Sequence, residues 1–374
     1  MKKYRMPLAC IVSVLLLITF FSAYKHEAEE KVICYTAQDL TNKESELVRM
    51  LGRYSIEPNE VYFDYTLSGI EFEFVGSKCD VSFCSDFLSD EDKHAVIGVF
   101  LNDSEEESIR LSISKETCEY TVYESTKEEM VKIRLVKLSD AKQGTVGITQ
   151  LRLYGKEPQI KKTQDKDMLF QFIGDSITCG MGNETSFGEP FTTIKENGNM
   201  SYGAITARNF QADVEFISYS GVGLIWGTSK DTPPMTEMYQ YCGYTRGNRI
   251  PQLYNTEREP DIICVNLGTN DSKYIENEEE KIQFIETYVE FLKDLRREHP
   301  KALLVICYGT MRLEWKDMIK ECYTRYTEIT KDSNCEYLLF GEDLKVGDGC
   351  GGHPTVETHK NMAIALSELL EKRL

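Results

Sequence analysis

The sequence predicts two domains, an antiparallel β-sandwich followed by an α/β domain whose parallel sheet is flanked by helices. Three observations lead to this fold class. The chain has 374 residues, which is long for one typical domain. Its first half carries short runs in which apolar and polar residues alternate. Its second half carries continuous apolar runs that alternate with segments of helical periodicity.

The alternating runs lie between about Gly52 and Tyr154 and are separated by turn residues. Alternation places apolar side chains on one face of a strand, which is typical of a half-buried sheet. The seven runs are GIEFEFVG, DVSFCSD, HAVIGVFLND, IRLSISK, CEYTVYES, MVKIRLVKL and TVGITQLRLYG. We predict a sandwich over residues 31–157, whose first strand lies in the polar segment before residue 50, and a charged linker over residues 158–167.

The second domain is predicted over residues 168–374. Five apolar runs are typical of buried parallel strands: MLFQFIG, VEFISYSG, DIICVNLG, ALLVICYG and EYLLFG. Helical periodicity separates them, and one predicted helix places five apolar residues on a single face. These residues are Ile282, Ile285, Val289, Leu292 and Leu295.

Residues 1–30 have the pattern of an export signal. A basic start, MKKYR, precedes the uncharged stretch MPLACIVSVLLLITFFSAY and the charged KHEAEEK. Ala23 suits the last position before cleavage, whereas Phe21 is bulky for the position two residues earlier. The apolar stretch is also nearly long enough to span a bilayer as an uncleaved signal-anchor. We therefore expect the remaining chain to be secreted, periplasmic or anchored at the cell surface, with membrane contact only through this segment if it is uncleaved.

Charge and cysteine content narrow the classes of partner. The chain has 61 acidic and 43 basic residues, a formal charge of −18, and no basic cluster, so we expect no nucleic-acid partner.

Eleven of the twelve cysteines lie outside the leader, and an odd number leaves at least one thiol free. Several lie within predicted strands, as small buried apolar residues do. No Cys/His spacing is typical of zinc, and we predict neither a metal nor a cofactor.

Four polar motifs stand at or after the ends of predicted strands. Ligands of parallel sheets bind at the carboxyl ends of the strands, so these motifs are expected to meet at one edge. The motifs are Gly174-Asp175-Ser176, Ser220-Gly221-Val222-Gly223, Gly268-Thr269-Asn270-Asp271 and the GDGCGGHPT segment that contains His353. Each motif alone is a common turn or helix cap, but the four together indicate a serine esterase.

In such an esterase Ser176 would attack the carbonyl carbon, and His353 would take its proton and later return it to the leaving oxygen. The backbone N–H groups of Ser176 and Gly221 and the side-chain amide of Asn270 would stabilise the oxyanion. A glycine at 221 permits close approach because it has no Cβ.

These motifs resemble the SGNH/GDSL hydrolases, whose blocks supply Ser, Gly, Asn and His in this order, over about residues 168–374. The preceding sandwich, GVGL after the second strand and the GHP histidine block resemble more specifically carbohydrate esterase family 2. The resemblance implies a jelly-roll-like sandwich packed on a flavodoxin-like catalytic domain. It also implies removal of acetyl groups from plant-type polysaccharides such as xylan and mannan, with Ser176 as nucleophile, His353 as base, and Gly221 and Asn270 as oxyanion donors.

The chain departs from the family pattern beside the histidine. Many SGNH enzymes carry Asp three residues before it, where this chain has Cys350. The nearest acid is Asp348. Some relatives use a Ser–His dyad with the imidazole oriented by a backbone carbonyl. We favour the dyad, with Asp348 as the alternative orienting acid.

Two further residues are secondary candidates. Trp226 is either a platform for a sugar ring or a packed core residue. Cys179 is a conceivable second nucleophile, although Ser176 is better placed.

The predicted function is that of an exported acetyl esterase acting on acetylated polysaccharide or oligosaccharide. The alternatives are an esterase or lipase of the same fold acting on lipid or cell-wall glycan, and a carbohydrate-binding protein with little turnover.

Overall fold

The computed structural model describes residues 30–228, 232–244, 250–254, 258–341 and 349–374. The predicted leader, except for its last residue, lies outside the described residues. Within the described ranges, no helix is both long and apolar enough to cross a membrane.

The N-terminal domain is a ten-stranded antiparallel sheet with one short helix, α1 (Ala37–Thr41). Its strands are β1 (Lys31–Thr36), β2 (Arg49–Leu51), β3 (Ser55–Ile56), β4 (Val61–Phe63), β5 (Gly69–Ser85), β6 (Val96–Leu101), β7 (Ile109–Ser112), β8 (Thr117–Lys137), β9 (Val146–Gly155) and β10 (Gln159–Lys162).

Two long strands, β5 and β8, pair along nearly their whole lengths and connect the two parts of this sheet. Their register shifts between Gly76 and Lys78 and again between Cys79 and Asp80. Before the shift, β5 pairs on its other edge with β2 and β10, and after it with β9. Bulges of this kind bend and twist a strand, so the pair passes from one part of the sandwich to the other.

The seven predicted runs therefore correspond to five strands. GIEFEFVG and DVSFCSD are halves of β5, and CEYTVYES and MVKIRLVKL are halves of β8. The residues between the two halves of each strand resemble turn residues. In the structure they lie at the register shift, and the strand continues through them. The segment predicted as a linker contains β10, whose Ile160 pairs with Phe74 and packs on the sandwich core.

The C-terminal domain has the five predicted parallel strands in the order β12-β11-β15-β16-β17. This is the flavodoxin-like order, with the first strand inside the sheet. The strands are β11 (Leu169–Gly174), β12 (Asp213–Ser218), β15 (Ile262–Asn266), β16 (Leu303–Tyr308) and β17 (Cys335–Leu339), beside a small antiparallel pair, β13 (Tyr241–Cys242) and β14 (Gln252–Leu253).

Helices cover both faces of the parallel sheet. They are α2 (Ser176–Cys179), α3 (Tyr202–Asn209), α4 (Met235–Met238), α5 (Glu278–Glu298), α6 (Lys316–Thr330) and α7 (Val356–Leu370). Helices α5 and α6 pack on the face that includes Ile173 and Val265. Helices α3 and α7 pack on the opposite face, which includes Phe172 and Cys264. Neighbouring strand residues therefore enter different cores, as the period of a strand requires.

The predicted apolar face of α5 is wrong at one position. Ile282 is 44% exposed, whereas the other four residues of that face are buried. Phe284, Tyr288 and Phe291 are buried as well. These large aromatic side chains centre the buried face away from Ile282.

The two domains share buried contacts. Leu138 and Phe100 of the sandwich lie in the same apolar cluster as Phe172 of the catalytic domain. Both Asp213 carboxylate oxygens accept hydrogen bonds from Arg49 Nη1 at 2.9 Å, and Glu71 Oε1 accepts one from Nη2 at 2.8 Å. The Arg49 side chain is 8% exposed, so this ion pair is a buried link between the domains.

We expect Arg49→Ala to lower the free energy of unfolding by about 3 kcal/mol, because it removes the ion pair of the buried Glu71 carboxylate and one of the two arginines bound to Asp213. The matched control is Arg152→Ala, which removes an ion pair to Glu119 whose side chains are 36% and 39% exposed. The control is expected to cost less than about 1 kcal/mol. Urea unfolding of the two variants measures both values, and equal losses would contradict the structural role of Arg49.

Candidate active site

Ser176 stands where the chain leaves the parallel sheet. Strand β11 ends at Gly174, and Asp175 caps α2 by accepting the Ile177 N–H at 2.9 Å. A Cβ on Gly174 would lie 2.0 Å from Thr178 Oγ1 and 3.0 Å from the Asn266 carbonyl oxygen, so only glycine fits there. Ser176 is the first residue of α2 and is 8% exposed.

His353 lies against Ser176, although 177 residues separate them in the chain. Its Nε2 is 2.8 Å from Ser176 Oγ, and its Nδ1 is 2.9 Å from the Cys350 carbonyl oxygen. A carbonyl only accepts, so Nδ1 carries the proton and Nε2 is left to accept the serine proton. Gly351 and Gly352, at φ +60° and +81°, turn the chain so that this carbonyl reaches the ring.

Among the described residues, Nδ1 of His353 contacts a backbone carbonyl and no carboxylate. Asp348, the alternative orienting acid, lies outside the described residues. At the position where many SGNH enzymes have Asp, Cys350 supplies its backbone carbonyl to the imidazole.

The protein environment favours the neutral form of His353. Burial lowers the pKa of His353, while the hydrogen bond to Cys350 and the charge of Asp140 act in the opposite direction. A neutral imidazole at neutral pH is the form that takes a proton from a hydroxyl.

Gly221 begins the second loop at the sheet edge. It has φ +89°, and a Cβ there would lie 2.3 Å from Thr228 Oγ1. Its carbonyl accepts the Thr228 N–H at 2.8 Å. Among the described residues, neither the Ser176 N–H nor the Gly221 N–H donates to a turn or loop carbonyl, so both predicted oxyanion donors are available.

Asn270 lies between the first loop, which holds Asp175 and Ser176, and the second loop. Its Nδ2 donates to Asp175 Oδ2 at 3.1 Å and to the Val222 carbonyl oxygen at 2.8 Å. These bonds hold the Asn270 amide beside both loops. An oxyanion would share the Nδ2 hydrogens with Asp175 and with the Val222 carbonyl. Burial raises the pKa of Asp175 to about 7, and the nearby Asp271 carboxylate acts in the same direction.

Asp271 organises the second loop, a function that the sequence analysis missed. Its carboxylate accepts the N–H groups of three successive residues, at 2.8, 2.9 and 3.0 Å. These residues are Leu224, Ile225 and Trp226. The GTND motif contained this signal, because a carboxylate beside a glycine-rich loop is a natural acceptor for its unpaired N–H groups. Burial raises the pKa of Asp271.

The secondary candidates differ in their surroundings. Trp226 is half-buried against the core, and its ring centroid lies 6.3 Å from that of Tyr274, which is 38% exposed. A role for Trp226 in binding sugar stays a prediction. Cys179 is buried, and burial raises the pKa of its thiol well above the ordinary value, which disfavours the thiolate. The eleven cysteines outside the leader are all free thiols in the described structure.

The two-domain architecture and this sheet edge define a carboxylic ester hydrolase, and comparison with known proteins agrees. Residues 172–360, just over half of the chain, match the GDSL-like Lipase/Acylhydrolase family, and residues 50–160 match the Carbohydrate esterase 2 N-terminal domain. The chain belongs to the GDSL-like lipase/acylhydrolase family and carries the N-terminal domain of carbohydrate esterase family 2. The predicted family and fold class are thereby confirmed.

Two curated relatives illustrate the similarity. An acetylxylan esterase / glucomannan deacetylase of Cellvibrio japonicus is 26% identical over 330 residues, 87% of this chain and 88% of that protein. The cellulase/esterase CelE of Acetivibrio thermocellus is 34% identical over 213 residues, 54% of this chain. The match spans only 25% of the length of CelE.

Solved structures show the same fold. A family two carbohydrate esterase from Cellvibrio japonicus superposes with a TM-score of 0.78 at 21% identity, covering 92% of this chain and 98% of that one. A family two carbohydrate esterase from Clostridium thermocellum, in complex with cellohexaose, gives 0.75 at 25% identity, with 87% and 98% covered.

We expect Asp271→Ala to lower the free energy of unfolding by about 3 kcal/mol and to reduce kcat, because three loop N–H groups lose a charged acceptor. Ser272→Ala is the control, since it removes one hydrogen bond to the Thr269 carbonyl and leaves Asp271 in place. The control is expected to cost about 1 kcal/mol. Thermal unfolding measures the loss of stability, and hydrolysis of 4-nitrophenyl acetate measures the loss of activity. A fully active Asp271→Ala enzyme would show that the second loop keeps its conformation without the Asp271 carboxylate.

Proposed function

We propose that this protein is an exported carbohydrate O-acetyl esterase that removes acetyl groups from plant-type polysaccharide of the xylan or mannan kind. The observation that carries the proposal is the 2.8 Å contact between Ser176 Oγ and His353 Nε2, with Nδ1 held by a backbone carbonyl. Family membership supports ester hydrolysis, and the two domains are those of a family whose relatives include acetylxylan esterases.

The proposed reaction has two steps. In the first, Ser176 Oγ attacks the acetyl carbonyl carbon while His353 Nε2 takes the hydroxyl proton. The N–H groups of Ser176 and Gly221 and the amide of Asn270 stabilise the oxyanion. The imidazolium then protonates the sugar oxygen as the bond between that oxygen and the acetyl carbon breaks. The sugar leaves with a free hydroxyl, and the acetyl group stays on Ser176 Oγ. In the second step His353 takes a proton from water as the water oxygen attacks the acetyl carbon, and the imidazolium then returns that proton to Ser176 Oγ as the bond from the acetyl carbon to Oγ breaks and acetate leaves.

Carbohydrate as substrate rests on the relatives and on local chemistry. One curated relative, which matches 87% of this chain, is an acetylxylan esterase / glucomannan deacetylase. The similar esterase structure from Clostridium thermocellum is a complex with cellohexaose. The partly exposed pair of Trp226 and Tyr274 offers aromatic surface of the kind on which sugar rings stack. Export rests on the basic and apolar pattern of residues 1–30.

A second candidate is carbohydrate binding with little turnover. It is favoured by a neighbouring structure, at 20% identity and TM-score 0.70, described as displaying divergent catalytic and non-catalytic binding functions in a carbohydrate esterase active site. Acetate release separates the two candidates.

We expect the leaderless wild type to release acetate from 4-nitrophenyl acetate, acetylated xylan and acetylated glucomannan. Ser176→Ala is expected to lose about 1,000-fold or more in kcat, because it removes the nucleophile. Asp348→Ala is expected to stay within about 3-fold of wild type, because Cys350 already orients His353.

A large loss in Asp348→Ala would instead establish a triad. Wild type that hydrolyses 4-nitrophenyl acetate but releases acetate from neither polysaccharide would point to another acyl substrate. Wild type that binds these polysaccharides and releases no acetate from any ester would favour the binding protein.

We expect kcat/KM to rise with pH through an apparent pKa below about 6.5 and then to level off. The base acts when neutral, and the lowered pKa of His353 extends the neutral form to lower pH, so activity is lost only as pH falls through that value. Initial rates on a soluble acetyl ester between about pH 4 and about pH 8 measure this limb. An apparent pKa above the ordinary histidine value would contradict the burial of His353.

A further inference from the structure

Asp140 belongs to the sandwich but contacts the catalytic loops. It follows the end of β8, caps a short 3-10 helix over residues 141–143, and is fully buried. Its Oδ2 accepts a hydrogen bond from the hydroxyl of Ser220, and its Oδ1 accepts one from the Lys142 N–H. Ser220 immediately precedes Gly221, so a carboxylate of one domain is attached to the predicted oxyanion loop of the other.

A buried charge cluster fixes Asp140 in this position. The Asp140 N–H donates to Glu196 Oε1 at 3.0 Å, and the Asp140 carbonyl accepts from Lys137 Nζ at 2.5 Å. Lys137, Asp140 and Glu196 are all 0% exposed. Burial lowers the pKa of Lys137, and Asp140, Glu196 and Asp64 act in the opposite direction. Burial raises the pKa of Glu196 well above its ordinary value, and the charge of Asp140 acts in the same direction. Both the main chain and the side chain of Asp140 are therefore held.

The bond to Ser220 acts on the peptide that carries the Gly221 N–H. Tyr219 to Val222 form a turn, closed by a 3.1 Å bond from the Val222 N–H to the Tyr219 carbonyl. Gly221 occupies its third position at φ +89°, as a type II turn requires. The Ser220–Gly221 peptide is the central peptide of that turn, and flipping it converts type II into type I. A flipped peptide would direct its carbonyl, rather than its N–H, toward the oxyanion.

We propose that Asp140 is a positioning residue for ester hydrolysis, through which the N-terminal domain fixes the Ser220 hydroxyl and hence the direction of the Gly221 N–H. The inference rests on the proposed function, because it assumes that Gly221 donates to the oxyanion. A hydrogen bond to a buried charge is strong enough to bias such a flip.

The same carboxylate has a second effect at a distance. The charge of Asp140 raises the pKa of His353, against the larger effect of burial. It therefore favours the imidazolium that forms when Ser176 attacks. Ser220 has no charge and cannot contribute this effect, which separates the two functions of Asp140 experimentally.

The experiment compares Ser220→Ala, Asp140→Asn and the double variant on 4-nitrophenyl acetate. Thr193→Val is the matched control, since it removes a buried 2.6 Å bond to the His94 carbonyl across the same domain interface, away from Ser220. We expect Ser220→Ala to lower kcat about 10-fold or more with little change in KM, and the control to keep wild-type kcat. The double variant should lose less than the product of the two single losses, because both single variants remove the same hydrogen bond between a hydroxyl and a charged carboxylate.

The pH profile gives a readout that a purely structural role would not move. Asp140→Asn is expected to shift the acid limb of kcat/KM to lower pH, whereas Ser220→Ala should leave it in place. Folded Ser220→Ala enzyme with kcat within about 2-fold of wild type would overturn the proposal. If Asp140→Asn does not fold, the comparison of kcat between Ser220→Ala and Thr193→Val still tests the proposal. Wild type that hydrolyses 4-nitrophenyl acetate but no polysaccharide ester would refute the proposed function and leave this test intact.

Discussion

Buried carboxylates at the carboxyl edge of the parallel sheet are the constraint on which the site depends. Where strands end, backbone N–H groups lose their ladder partners, and in a buried place each needs an acceptor. Asp175 accepts the Ile177 N–H and the Asn270 amide, and Asp271 accepts three N–H groups of the second loop. Three loops from different parts of the chain are thereby tied together. Burial of these two carboxylates raises the pKa of each.

The base is held differently. The imidazole of His353 is oriented by the carbonyl of Cys350, which fixes the tautomer. A carbonyl dipole stabilises the imidazolium less than a carboxylate does. A compensating negative charge comes from Asp140, on the other domain. His353 is therefore oriented by a neighbouring residue, and part of its electrostatic environment comes from the other domain.

The sandwich and the catalytic domain are joined by buried contacts. It shares an apolar cluster with the parallel sheet, contributes Arg49 to a buried ion pair with Asp213, and brings Asp140 to Ser220. These contacts bury both polar and apolar groups. Separating the two domains would expose both kinds of group to water.

The sequence alone determined the two domains, the five parallel strands and the four motifs, because strand period, helix period and turn residues report the local burial of each element. The rule that parallel strands present ligands at their carboxyl ends was enough to place Ser176 and His353 on one edge. Only the tertiary structure decided that β5 and β8 run unbroken through their turn-like centres, that Asp271 organises a loop, and that Asp140 reaches Ser220. These features depend on partners about 40 to 80 residues away, and a local pattern records that a residue is buried but not which residue it meets.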